Sequence, residues 1–338
     1  MKNKIDLVYL WVDGNDKKWL AKKNLWLNKY GKLSKSANIT ARFRDNDELK
    51  YSLRSVEKFV PWINHIFLVT DNQIPKWLNT KNKKISVIDL SQIMPKDSLP
   101  VFNSIAIESC LHNIPNLSEH FLYSNDDMFF GSEIKPSYFF DENENPIVIV
   151  KRKWLPKNSF AGHGYEKYWN ARKAYNKFLH KARGIVYTLS TKKYFCEPSH
   201  NITPMRKSYA KDTVKKLPEI FNSNIYSRFR DTNNTERFLY SIYDNCVNRC
   251  TLVMNNNIGY TKRIYDFKRT DGFLYSIRKL FYKQNFETFD GANIRKKIIK
   301  YQPKLFCIND GPSSGEKTLN ANKKFLQEMF PKKSTFEN

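Results

Sequence analysis

The chain of 338 residues is 41% hydrophobic and 15% aromatic, enough to bury a substantial core in one large or two ordinary domains, which excludes a disordered polymer. Its 58 Lys and Arg against 33 Asp and Glu leave a charge of +25. A surface of that sign attracts phosphate-bearing partners, without choosing among nucleic acid, anionic lipid, nucleotide and polyanionic polymer.

The start, MKNKIDLVYLWVDG, is basic but its apolar run is short and interrupted by Asp6, too little for a signal peptide and too short to span a bilayer. The cysteines, Cys110, Cys196, Cys246, Cys250 and Cys307, are odd in number and lack a framework spacing. Cys110 and Cys307 sit in apolar patterns where a small buried thiol suffices, and a reducing cytoplasm is the expected compartment.

IDLVYLWV (5–12) reads as a buried strand closed by the turn signal Asp13-Gly14-Asn15-Asp16. Lys17 to Tyr30 reads as a basic helix, followed by a polar loop to about Thr40. In the stretch 42–62, Leu49, Leu53, Val56 and Val60 recur with helical period; Asp45 is placed as N-cap with Glu48 completing a capping box, and Pro61 ends the helix. Arg42 and Arg44 then lie at the positive end of that helix, where a phosphate is welcome, or else merely solvate a loop.

IFLVT (66–70) is a second strand ending in Asp71, ISVIDL (85–90) a third, and residues 101–114 carry a helical pattern stopped by Pro115. HFLYS leads into Asn125-Asp126-Asp127, and Ile147 to Val150 forms a further strand. Asn125 and Asp126 can serve simply as a turn. Two adjacent carboxylates where a buried strand surfaces also repel each other unless a cation or a donor sits between them, so the pair points to a metal.

Strands alternating with helices argue for a parallel, doubly wound sheet, with ligands bound beyond the carboxyl ends of the strands. Asp13, Asp71 and Asp126-Asp127 all occupy such ends. Beyond Val150 the basic and aromatic residues interleave in helix-like segments, read as an acceptor-binding region. SHNITPMRKS (199–208) carries His200, and SRFRDTNNTERFLYSIY (227–243) carries Arg228, Arg230 and Arg237. KLFCIND (304–310) is another apolar run ending in acid, and ANKKFLQEMF (321–330) an amphipathic helix before Pro331. GFLYSIRKLFYK (272–283) has one apolar face beside Arg278, Lys279 and Lys283, a pattern that serves core packing or lies on an anionic membrane.

The blocks IDLVYLWVDGND, RFRDNDELKYSLRSVEKFVPWINHIFLVTDNQIPKWL, LPVFNSIAIES with FLYSNDDMFFG, SHNITPMRKS with SRFRDTNN, and KLFCIND with FLQEMFP resemble the four successive conserved regions of the Stealth family. That family includes bacterial capsular polysaccharide phosphotransferases and the catalytic part of the lysosomal-enzyme N-acetylglucosamine-1-phosphotransferase. The resemblance implies transfer of a sugar 1-phosphate from a nucleotide sugar, UDP-linked by expectation, to an acceptor hydroxyl, with Mg2+ or Mn2+ as cofactor. It assigns the metal to Asp126, Asp127 and Asp310, and catalysis to His200 as general base, Arg230 for phosphoryl charge (Arg228 being the alternative) and Asp127. Asp13, Gly14, Arg42, Arg44, Asp45 and Asn125 are expected to bind the substrate.

The expected fold is α/β, a Rossmann-like or glycosyltransferase-A-like mostly parallel sheet flanked by helices, with a basic, mainly helical insertion. Residues 1–150 form the nucleotide-sugar core, 151–300 the insertion carrying His200 and Arg230, and 301–338 a strand and helix returning to the core. A polysaccharide or oligosaccharide acceptor is the expected partner, with peripheral association at an anionic inner membrane and the capsule machinery. A metal-dependent glycosyltransferase releasing nucleoside diphosphate is the enzymatic rival. A nucleic-acid-binding protein is the other, but the basic residues are spread along the chain without a nucleic-acid motif, so no nucleic-acid partner is expected.

Overall fold

The computed structural model describes residues 3–30, 38–154, 194–198, 200–231, 234–235, 237–254, 295–296, 298–299, 302–308 and 314–338. The amphipathic stretch 272–283 and Asp310 lie outside the described residues.

Four parallel strands, β1 (Ile5–Leu10), β2 (Ile66–Thr70), β3 (Ile85–Asp89) and β4 (His120–Asn125), form the core of the largest sheet. Their spatial order is β3-β2-β1-β4. β1 and β2 are buried at every position, as expected of parallel strands covered on both faces. Alternate residues then serve two cores. Leu7, Tyr9, Leu68 and Leu122 face α2 (Glu48–Phe59) through Leu49, Leu53 and Val56. Val8, Phe67, Val69, Phe121 and Tyr123 pack on the other side with Ala106, Cys110 and Leu111. The expected mostly parallel α/β sheet flanked by helices is the observed architecture.

Asp6, which interrupts the apolar run, is buried because its carboxylate joins two loops. It accepts from Asn64 Nδ2 and from the Ser118 backbone N–H, each at 2.7 Å. α1 spans Lys17–Tyr30 as the sequence predicts. Its first turn is held by Asp16, whose Oδ1 accepts from the Trp19 N–H at 2.8 Å.

Two expectations need correcting. Asp45 is not the N-cap of α2; Asp47 is, with φ of 66° and no side-chain cap bond. Asp45 Oδ1 instead accepts from the Asp47 N–H at 3.1 Å, and Glu48 accepts from the Asn46 N–H at 2.6 Å. The acids thus build a tight turn ahead of the helix, and an aspartate tolerates the left-handed position that turn requires. The pattern over 101–114 yields only a short α3 (Ser104–Glu108) and a 3-10 turn at Leu111–Asn113. Asn103 caps the start, and the Ser109 hydroxyl donates back to the Ile105 carbonyl at 2.8 Å, a bond that competes with helix continuation.

After β4 the chain turns through Asp126 and Asp127 into β5 (Met128–Phe130), and β6 (Ile147–Trp154) follows. β7 (Tyr194–Pro198) pairs antiparallel with β6, and β8 (Thr203–Arg206) pairs antiparallel with β4, extending the core sheet to five strands. Helices α4 (Lys207–Lys216), α5 (Pro218–Ile225) and α6 (Phe238–Cys246) follow. The last two contribute Phe221, Leu239 and Tyr240 to the core face opposite α2. β9 (Thr251–Met254) joins β6 in parallel. β10 (Leu305–Cys307) pairs antiparallel with β5, and α7 (Glu316–Met329) lays Phe325 and Leu326 against Phe129 and Phe306.

Candidate active site

Because β1, β2 and β4 are parallel and in register, Asp13, Asp71 and the Asp126-Asp127 turn follow strand ends on one edge of the sheet. Asp71 is already paired, its Oδ2 lying 2.6 Å from Lys22 Nζ. Asp13 sits in a loop fixed by Gln73, whose side chain accepts from the Asp13 N–H at 3.0 Å and donates to its carbonyl at 2.9 Å. Gly14 next to it donates to the Phe43 carbonyl at 2.8 Å, in the 3-10 turn Thr40–Phe43 that carries Arg42 and leads into Arg44.

The acidic turn is gripped from three sides. The Tyr9 and Ser52 hydroxyls are 2.7 Å apart, Ser52 Oγ donates to the Met128 carbonyl, and Ser55 Oγ accepts from the Phe130 N–H at 3.1 Å. From β10, the Ile308 N–H donates to the Asp127 carbonyl at 2.9 Å. Asn125 Oδ1 lies 2.7 Å from the Tyr123 hydroxyl, which also reaches the buried Glu108 carboxylate at 3.1 Å. Such a fixed backbone holds the carboxylates in place before any ligand arrives.

Negative charge is concentrated here. Burial, then repulsion from Asp127, Glu48 and Asp45, holds the Asp126 carboxyl well above the usual carboxylate range. Asp45 is also raised, mainly by burial, against the bond it accepts from the Asp47 N–H; Asp47 and Asp13 add repulsion. Carboxylates crowded in this way form a site that a hard divalent cation would neutralise. The oxygen donors of Asp126 and Asp127 therefore fit magnesium.

His200 reaches this turn through β8. The ladder pairs His120 with Arg206 and ends at Tyr123 with Thr203, three residues short of His200 on one strand and of Asp126 on the other. One donor atom each of Asp127, His200 and Cys307 lie within 4.8 Å of one another. Sequence reasoning left Cys307 as a packing thiol, and only the β5–β10 pairing brings it to Asp127.

The arginines separate by environment. Arg228 donates to the Asp97 and Leu99 carbonyls at 2.7 and 2.9 Å and stacks on Trp26 at 4.3 Å, a packing role. Arg230 donates to Ser104 Oγ at 2.8 Å, and its charge acts on the Tyr123 hydroxyl beside Asn125. Arg237, which the sequence does not single out from its neighbours, lies over the Tyr123 ring at 5.1 Å. Its signal was the Arg-rich run 228–237, but charge alone cannot rank three arginines.

Family models described as Stealth protein CR1, conserved region 1, and Stealth protein CR2, conserved region 2, match residues 3–31 and 42–148. The chain is 38% identical over 259 residues to the exopolysaccharide phosphotransferase cps2G of Lactiplantibacillus plantarum, covering 71% of this chain and 74% of that protein. It is 32% identical over 318 residues to the capsular polysaccharide phosphotransferase fcs1 of Haemophilus influenzae, covering 94% and 81%. The receptor polysaccharide phosphotransferase WefC of Streptococcus gordonii is 29% identical over 356 residues, covering 100% of both. Among solved structures, galactosyltransferase LgtC in complex with donor and acceptor sugar analogs aligns over 98% of this chain and 96% of its own, with 11% identity and a TM-score of 0.43.

Proposed function

This chain belongs to the Stealth family of polysaccharide phosphotransferases, and from that premise we propose that it moves hexose 1-phosphate from a UDP-linked sugar to a hydroxyl of an acceptor sugar. The product is a phosphodiester linkage in a capsular or cell-surface polysaccharide. The observation that carries this reading is the meeting of His200 with the acidic turn, since a general base must stand where the phosphoryl group is held.

His200 accepts the proton of the acceptor hydroxyl, whose oxygen attacks the sugar-bearing β-phosphorus. The bond from that phosphorus to the bridging oxygen breaks, nucleoside monophosphate leaves, and the bond between sugar and phosphate stays whole. Arg230 and Arg42 stabilise the charge gathering on the equatorial oxygens, a role for a guanidinium because it stays protonated. Asp13, Gly14, Arg42, Arg44, Asp45 and Asn125 shape the donor pocket at the sheet edge. Magnesium, held by Asp126, Asp127 and Asp310, would neutralise the pyrophosphate oxygens.

The charge of +25 supports a reading in which the enzyme is cytoplasmic and associates peripherally with an anionic inner-membrane face and the capsule machinery. Among the described residues no helix is long and apolar enough to cross a membrane.

The test is a panel of nucleotide sugars with magnesium and oligosaccharide acceptors. Asp126→Ala and Asp127→Ala should abolish transfer while circular dichroism stays unchanged, and chelation should mimic them. Full activity of both variants in excess chelator would contradict the assignment.

A further inference from the structure

Asp127, His200 and Cys307 come from three distant parts of the chain, yet a carboxylate oxygen, a ring nitrogen and a sulfur meet within 4.8 Å. The carboxylate and the thiol are carried by backbones tied together. Cys307 pairs with Met128 in the β5–β10 ladder, and the Ile308 N–H bonds the Asp127 carbonyl at 2.9 Å. Cys307 is buried and in no disulfide. This donor set differs from the Asp126 and Asp127 oxygens that suit magnesium. Magnesium prefers oxygen, whereas one sulfur, one imidazole and one carboxylate are a set for zinc and similar borderline-soft ions. With zinc bonds of about 2.0–2.3 Å, neighbouring ligand atoms stand roughly 3.3–3.7 Å apart in a tetrahedron, so the side chains need close by no more than about 1.1–1.5 Å.

We propose that Asp127, His200 and Cys307 form a second metal site, selective for zinc-like divalent cations, which switches the enzyme off by drawing His200 and Asp127 away from the reaction. On binding, the Cys307 thiol releases its proton to solvent and the thiolate, the neutral imidazole and one Asp127 oxygen bind the ion, leaving a fourth position for water. The site shares only Asp127 with the proposed magnesium carboxylates, and its sulfur and imidazole donors hold a zinc-like ion against magnesium, which favours oxygen. Binding stands apart from the proposed reaction, and only its inhibitory consequence rests on that reading.

Cobalt(II) is the spectroscopic probe, added to the full-length protein without nucleotide. The expected result is a tetrahedral visible spectrum with a sulfur-to-cobalt band in the near ultraviolet, displaced by Zn2+ and untouched by millimolar Mg2+. Loss of an outer-shell partner already weakens metal sites by about 10–100-fold, so Cys307→Ser should remove the band and raise the cobalt dissociation constant by at least about tenfold. His200→Ala should keep a sulfur band but weaken binding comparably. A spectrum without sulfur character, or a band that persists unchanged in Cys307→Ser, would overturn the site. X-ray absorption of the zinc-loaded native chain reads the same ligand set without any variant: one sulfur among nitrogen and oxygen neighbours is expected, and none refutes it. Should the site form while zinc leaves transfer at saturating magnesium unaffected, the switching role is overturned.

Discussion

Gly14 and Phe43 are joined backbone to backbone, the Gly14 N–H donating to the Phe43 carbonyl at 2.8 Å. A Cβ on Gly14 would stand 2.2 Å from that oxygen and 2.8 Å from the Phe43 Cβ, so nothing larger than glycine fits without moving the turn that carries Arg42. Gly14→Ala should cost about 1–3 kcal/mol, the usual scale for forced overpacking, and weaken nucleotide-sugar binding at the same time. Urea unfolding and donor titration check this; a variant equal to the native protein in both would show that the two loops can separate freely.

Arg54 and Glu337 clasp the chain end to α2. The guanidinium donates twice to the carboxylate, at 2.8 and 2.6 Å, and once to the Phe330 carbonyl at 2.8 Å. Burial alone would raise the Glu337 pKa, but the bonds from Arg54 and from the Ser334 N–H and hydroxyl prevail and lower it. The stabilisation is therefore present above the ordinary glutamate value of 4.5 and is lost as pH falls through the lower, folded value. At neutral pH Arg54→Ala should cost about 1–3 kcal/mol, because it takes the cation from a part-buried carboxylate that keeps only its Ser334 donors. An unfolding midpoint unchanged at pH 7 would contradict this.

Asp244 titrates the other way. Burial raises its carboxyl to about 7, against the pull of Arg249 and a bond from Thr213, with Asp212 and Arg206 also near. Between 3.8, the ordinary value, and about 7 the folded protein holds a proton that the unfolded chain has lost. Stability therefore falls as pH rises across that window, with a limiting slope of about 1.4 kcal/mol per pH unit. Asp244→Asn should remove this dependence, gaining on the native protein more at pH 8 than at pH 5. Equal differences at both pH values in urea unfolding would refute the assignment.

His200→Ala should lower turnover by about a hundredfold or more while nucleotide-sugar binding is largely kept. Steady-state kinetics alongside donor titration separates the two effects. A variant that turns over normally would return His200 to a purely structural place beside β8.

The parallel core was legible because fully buried strands read as apolar runs closed by acids, and IDLVYL, IFLVT and HFLYS do so. α1 was legible in both its ends. The capping of α2 was misread because three acids crowd its start, and which of them adopts φ of 66° is settled by the turn, not by residue type. In residues 101–114 the apolar period was real, but a serine bonding back along the helix ended it early. At the site, the acidic turn could be picked out because adjacent carboxylates after an apolar run are costly without a function. Cys307 could not, because its place depends on antiparallel pairing across about half the chain, and Arg237 could not because stacking on Tyr123 leaves no mark in sequence.

The central claim is that phosphorus, and not the anomeric carbon, is attacked, and the nucleotide released decides it. A glycosyltransferase would cut between the anomeric carbon and its oxygen and release nucleoside diphosphate. Chromatography of a single reaction mixture containing a UDP-sugar, magnesium and acceptor should show nucleoside monophosphate rising in step with an acid-labile sugar phosphodiester, the anomeric configuration of the donor retained. Nucleoside diphosphate appearing in step with sugar transfer would contradict phosphotransfer at this site.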